Sequence, residues 1–224
     1  AWSKVTNSKL LNVLLRSLEE AGHHDLVAVL VLRNRVNYAV SHYREFTERH
    51  RNKRPFPKYL RDMGANFDYL VMLDLMRALF DGRVRVVPYD QTKDIVPEFC
   101  TFADIPAGVL VAPKKRENVR VLDALDIEIF RQAHELSLPL SAVRPLLPEL
   151  RSLPGLAGTS VWTERFDLDF ETMSSTLLTR FARLSGWCRD HIHDLFHVPD
   201  RAGRPVSEAV EIVRAELLRR FPRQ

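Results

Sequence analysis

The apolar run Leu26–Leu32 is unbroken and stops abruptly at Arg33. Seven Val/Leu-rich residues without polar alternation predict a strand covered on both faces, central in a parallel sheet. Upstream, apolar positions at helical spacing predict one amphipathic helix over 8–21, ending near Gly22. Downstream of Arg33 a helical stretch begins at once and carries Ser41 and Tyr43 near its start. A helix over Phe67–Gly82 follows, with Asn66 placed as N-cap and Gly82 as the residue that ends it. Residues 83–87 alternate as a strand does, and 88–94 lead into a helical stretch from Ile95 to Ala103. Val109–Ala112 reads as a further short strand. Helices are then expected over 122–136, 141–151, 171–197 (interrupted near Gly186) and 207–220, with Pro139, Pro145, Pro148 and Pro154 breaking the middle into short pieces. The fold class is therefore α/β. Residues 1–106 form the part with a parallel sheet and crossover helices, and 107–224 a mainly helical part of the same domain.

Open α/β sheets bind ligands at the C-terminal ends of their strands. An arginine there, beside the free N–H groups of a helix start, suits a phosphate. Ser41, eight residues beyond Arg33, lies one to two turns into the helix and offers a hydroxyl to the same anion. Taken alone, the pattern reads rather as a buried strand, a surface arginine and an ordinary serine.

The run Arg33-Asn34-Arg35-Val36-Asn37-Tyr38-Ala39-Val40-Ser41-His42-Tyr43 resembles the 3′-phosphate-binding segment of sulfotransferases. Those enzymes use 3′-phosphoadenosine-5′-phosphosulfate (PAPS) as sulfuryl donor. Their pattern is an apolar strand, then Arg-Asn-Pro or a variant, then Ser-x-Tyr at this spacing. The resemblance implies that Arg33 and Ser41 hold the 3′-phosphate, within a P-loop-like sulfotransferase fold. Arg35 departs from the pattern, standing where many members have proline. Two further segments occur in the family's order. Phe67–Gly82, the strand after it, Tyr89-Asp90, Lys93 and the helix ending near Ile105-Pro106 form one of them. There the resemblance implies adenine packing for Tyr89, whose other reading is an aromatic covering a strand end. Arg180–Phe196 is similar to a late helix of bacterial sulfotransferase-like proteins. In relatives a basic loop closes on the 3′-phosphate at about the position of Lys114, Lys115 and Arg116, which become nucleotide contacts by the same resemblance.

The family's phosphosulfate loop, rich in Gly, Ser and Thr, cradles the 5′-phosphosulfate with backbone N–H groups. No such loop stands in the roughly 25 residues before the strand. The expectation is a chain without its N-terminal strand and loop, or a degenerate donor site. Glu19, Glu20, His23 and His24 are the candidates for a catalytic base. The histidines fall at the sheet's N-terminal edge and the glutamates on a solvent face, so the base stays unassigned.

A chain of 224 residues with 46% hydrophobic and 28% charged residues can bury a substantial core. No apolar run is long enough to span a bilayer, and no signal-peptide pattern opens the chain. Cys100 and Cys188 read as reduced core thiols, so a cytoplasmic setting is expected. Residues 44–61 hold seven basic side chains against Glu45 and Glu48, around an Arg-Asn-Lys-Arg-Pro-Phe-Pro loop. Near an acceptor this field favours an anionic or sugar-like molecule. Taken by itself, the charge run reads rather as a solvated loop. Nucleic acid is not expected as a partner, because no recognisable nucleic-acid-binding motif accompanies the basic run. His191, His193 and His197 lack both a common helical face and a third ligand at metal spacing, so no metal is expected. Gly155–Ser160 follows Pro154 rather than an apolar strand and reads as a loop. Two functions follow. One is sulfuryl transfer from PAPS to a hydroxyl or amine of a small-molecule or carbohydrate acceptor. The other is a non-catalytic module that binds a nucleotide or a partner.

Overall fold

Ala28–Leu32 forms β1 and Val84–Pro88 forms β2, and the two pair in parallel with Ala28 opposite Val84 and Leu32 opposite Pro88. The computed structural model describes residues 4–89, 95–103, 105–106, 109–110, 122–156, 159–161, 175–186, 189–196 and 204–222. They form two compact units that interleave along the chain. The first comprises Ala1–Arg35, Met63–Pro113 and Thr172–His197; the second comprises Val36–Asp62, Lys114–Glu171 and Val198–Gln224. The described residues are mostly helical, with small parallel sheets.

In the first unit, β1 is shorter than its apolar run. Ala28 and Leu32 are buried, whereas Val27 and Val31 are 49% and 43% exposed. Among the described residues β1 has one strand neighbour, β2, so its central position and two covered faces are not seen there. An apolar run records what a strand tolerates rather than how many of its faces are covered. The helix before it, α1 (Lys4–Glu20), buries Leu15 but leaves Leu10, Val13 and Leu14 more than half exposed.

The helix expected from Phe67 begins later. Gly64–Phe67 is a 3₁₀ turn, and Asp68 rather than Asn66 is the cap, its Oδ1 accepting from the Val71 N–H at 3.1 Å. Asp caps as well as Asn does, and Asp68 directly precedes the apolar turn Tyr69-Leu70-Val71. The helix it starts, Tyr69–Leu79, ends where Asp81 and Gly82 both take positive φ (49° and 75°) and the Gly82 N–H donates to the Arg77 carbonyl. Its buried face is Tyr69, Leu70 and Leu73. Leu73 is fully buried, worth roughly 1.5–3 kcal/mol.

Ile95–Phe102 is a short helix holding Cys100 as a buried free thiol; Cys188 lies outside the described residues. Helices Ser175–Ser185 and Arg189–Phe196 flank Gly186 (φ 70°), where the sequence places the interruption. The Arg77 guanidinium donates to the Leu184 carbonyl and Arg180 meets Asp74 at 2.6 Å, which ties Tyr69–Leu79 to Ser175–Ser185. Val109 and Leu110 form a bend rather than the start of a strand; residues 111–112 lie outside the described residues.

The second unit is built around one helix, Ala124–Glu135, buried on every side from Ala124 to His134. Asp123 and Asp126 close a capping box at its start. Phe130, Ile127, Ile129 and Ala133 are completely buried, and Val143, Leu150, Val213 and Leu217 join them in the core. The prolines of the middle segment leave the helical pieces Leu140–Val143 and Leu147–Arg151, joined by a 3₁₀ turn. The expected loop at 155–160 instead enters a strand: Thr159–Val161 pairs in parallel with Arg204–Pro205. A 3₁₀ turn (Val206–Ala209) then leads into the last helix, Val210–Arg220. Among the described residues no helix is long and apolar enough to cross a membrane.

Candidate functional site

Parallel pairing brings the C-terminal ends of β1 and β2 to one edge of the sheet. One step beyond the last register pair, the Tyr89 N–H donates to the Leu32 carbonyl at 2.8 Å. The next residue of β1's chain is Arg33, and its guanidinium lies over the Tyr89 ring, 5.6 Å from the centroid. Arg33 is half-buried and Tyr89 46% exposed, so the pair reaches solvent. A cation on an aromatic face at a strand end fits an anion attached to a planar ring, the guanidinium taking charge and the ring taking stacking.

Three contacts fix the backbone that carries Arg33. The Tyr69 hydroxyl donates to the Arg33 carbonyl at 3.0 Å. The Asn34 amide donates to the Asp194 carbonyl at 2.7 Å, satisfying a carbonyl in the last turn of Arg189–Phe196, where helices leave acceptors unpaired. Arg35 is only 8% exposed, with its guanidinium 5.5 Å from the centroid of Phe196. Phe196 packs edge-on against Phe181 and tilted against Tyr69. Burial pushes the Arg35 pKa down, and the Tyr69 and Asp68 side chains oppose that shift. Arg35 is the first residue of helix Arg35–His50, the position proline tolerates best. The departure from Arg-Asn-Pro thus keeps the helix start and exchanges a rigid ring for an aromatic-backed cation.

No protein-family model matches the chain, and comparison with curated proteins and with solved structures finds no match. The functional reading therefore stands on the residues themselves.

Arg33 and Tyr89, singled out from sequence, are brought together. Ser41 is exposed on helix Arg35–His50, within the second unit. Val36, Ala39, Val40, Tyr43 and Thr47 make the buried face of that helix, which leaves Ser41 on the opposite side. Tyr43, the tyrosine of Ser-x-Tyr, is completely buried; its hydroxyl donates to the Arg54 carbonyl at 2.9 Å and its ring meets Phe56 and Tyr59. It holds the 51–55 loop rather than reaching for a ligand. Lys114, Lys115 and Arg116 lie outside the described residues. Glu19, Glu20, His23 and His24 are all exposed. Among the described residues no cluster of three or more His, Cys, Asp and Glu side chains could hold a metal; His197 lies outside them.

Sequence reasoning missed Tyr69 and Phe196, which position the arginine loop from 36 and more residues away. Their helices were legible, but nothing local to either residue points to residue 33.

Proposed function

We propose that the edge formed by Arg33 and Tyr89 binds the adenosine 3′-phosphate portion of a nucleotide. In this reading the chain belongs to a PAPS-dependent sulfotransferase-like fold that transfers a sulfuryl group to a hydroxyl or amine of a small-molecule or carbohydrate acceptor. One observation carries the reading: parallel β1 and β2 deliver a guanidinium and an exposed aromatic ring side by side at the sheet edge where such ligands bind. Arg33 supplies charge-assisted hydrogen bonds to phosphate and Tyr89 a stacking face for the base. The resemblance adds Ser41 as a hydroxyl donor, and it leaves the acceptor base unassigned.

A second reading, a non-catalytic nucleotide-binding module, is favoured by α1. A helix, rather than a strand and glycine-rich loop, directly precedes β1, so no backbone cradle for a 5′-phosphosulfate is found among these residues.

Calorimetric titration with adenosine 3′,5′-bisphosphate tests the shared part of both readings. Arg33→Ala should weaken binding by about 1.5–3 kcal/mol, roughly ten- to a hundredfold. Ser41→Ala should cost about 0.5–1.5 kcal/mol. Absence of binding at millimolar ligand, or equal affinity for wild type and Arg33→Ala, would refute the assignment. A radiolabelled-donor assay against a panel of acceptors then separates enzyme from module.

A further inference from the structure

Basic side chains of the second unit are largely neutralised by nearby carboxylates. Arg54 meets Asp62, Arg144 meets Glu48, Arg151 meets Asp126, and Arg220 meets Glu149 and Glu216. Lys58 and Arg61 differ. They stand three positions apart on helix Phe56–Met63, and neither has a carboxylate partner among the described residues. Residues three apart on a helix share a face. Both line the same cleft, of about 410 Å³, which lies wholly within the second unit.

The inner wall of that cleft includes the buried pair Glu128 and Arg131. Glu128 is fully engaged: it accepts from Arg131 Nε at 2.8 Å, from Arg131 Nη2 at 2.5 Å and from the Gln132 amide at 2.9 Å. Its charge is therefore not offered to the cleft. Arg131 has five N–H groups. Two bind Glu128, one the Lys53 carbonyl and one Glu135. The fifth, on Nη2, has no acceptor among the described residues, although the side chain is only 5% exposed. Arg131 lines the cleft, so an anion seated there meets a donor with capacity to spare. Phe56, Val206 and Val210 contribute apolar wall to the same space. Apolar walls with a few convergent polar groups, in a volume of about 300–1,000 Å³, are what small-molecule sites share.

We propose that this cleft binds a small organic anion with an apolar body, such as a carboxylate or sulfonate carried on a ring. The acid group meets Lys58, Arg61 and the spare Arg131 N–H, while the body lies against Phe56, Val206 and Val210. The proposal does not rest on the nucleotide reading.

The test uses two fluorescent probes with nearly the same ring framework, the anion 1-anilinonaphthalene-8-sulfonate and the uncharged N-phenyl-1-naphthylamine. Wild type is compared with Lys58→Ala/Arg61→Ala and with Ser207→Trp, which adds a large ring at the exposed lip of the cleft. Thermal melting confirms that each variant is folded. The double variant should weaken the anion by about tenfold or more, as the loss of two charged contacts implies, while changing the neutral probe less than about twofold. Ser207→Trp should weaken both probes. Unchanged anion affinity in the double variant, or equal losses for both probes in it, would overturn the proposal. So would retention of the anion in Ser207→Trp, which would place the binding elsewhere.

Discussion

Glu128→Ala tests how the charged interior of the second unit is held. Glu128 and Arg131 are 4% and 5% exposed and joined by two hydrogen bonds, with Gln132 donating a third to the same carboxylate. Burial alone would lower the Arg131 pKa, but the hydrogen bonds and charge of Glu128 outweigh it and hold the pKa above the ordinary arginine value. Alanine removes the bidentate partner and leaves a buried guanidinium with Glu135 and one carbonyl. Breaking a buried ion pair on one side costs about 3–5 kcal/mol. The surviving 2.7 Å contact to Glu135, itself 30% exposed, places the expected value near the lower end, about 3 kcal/mol. That is a large fraction of the roughly 5–15 kcal/mol by which domains are stable. Glu128→Met/Arg131→Met removes both charges at similar volume and should cost less than the single change, because no uncompensated charge is left behind. Urea denaturation followed by far-ultraviolet circular dichroism measures both. A loss below about 1 kcal/mol in Glu128→Ala, or a double variant as unstable as the single one, would refute the reasoning.

Other consequences can be checked in the same way. Asp126→Ala removes half of the capping box and the partner of Arg151, and should lower stability by about 1–2 kcal/mol in urea titrations. His134 is buried, and burial first of all holds its pKa below the ordinary value of 6.5, against its hydrogen bond to the Thr47 carbonyl. Below pH 6.5 the unfolded chain therefore binds more protons than the folded one, so stability should fall as pH drops through 6.5 towards the folded-state pKa. His134→Gln should flatten that part of the urea-midpoint profile. Gly155 has φ +86°, and a Cβ there would stand 2.9 Å from the tip of Ile212. Since that tip can turn aside, Gly155→Ala should cost about 1–2 kcal/mol, mostly from the left-handed backbone, measured by thermal melting. If the nucleotide reading holds, Tyr69→Phe frees the Arg33 carbonyl and should weaken adenosine 3′,5′-bisphosphate by about 0.5–1.5 kcal/mol in calorimetry.

Local patterns were legible where the chain's own neighbours decide the structure. The strand before Arg33, the helix start after it, the reversal at Gly82 and the break at Gly186 all follow from short-range chemistry. Where long-range partners decide, the sequence is silent. The helix Ala124–Glu135 carries Asp, Glu, Arg, Gln and His, a composition that gives no sign of burial, yet it is buried from Ala124 to His134. Beyond the Glu128–Arg131–Glu135 contacts within the helix, its polar groups are met by Arg151, the Lys53 carbonyl and the Thr47 carbonyl, none of them nearby in sequence. The basic run at 44–61 shows the same limit. Arg49 and Arg54 spend their charge on Glu45 and Asp62, while Lys58 and Arg61 keep theirs for a cleft that no composition count reveals. At the candidate nucleotide edge, the position of Arg33 was readable from the end of its strand. The Tyr69 and Phe196 side chains that hold its loop were not.

The interleaving of the two units has a consequence for how they are made. The first unit draws on residues up to His197 and the second needs the chain to its last segment, Val198–Gln224. During synthesis the first can close while the second still lacks Val210–Arg220, the helix that buries Val213 and Leu217. A stop codon after His197 would thus spare every residue of one core and strip a helix from the other. A break anywhere between residues 36 and 197 would divide both. The two bodies are distinct as folded objects but cannot be recovered as separate contiguous genes, and any dissection of their roles has to proceed by point substitution.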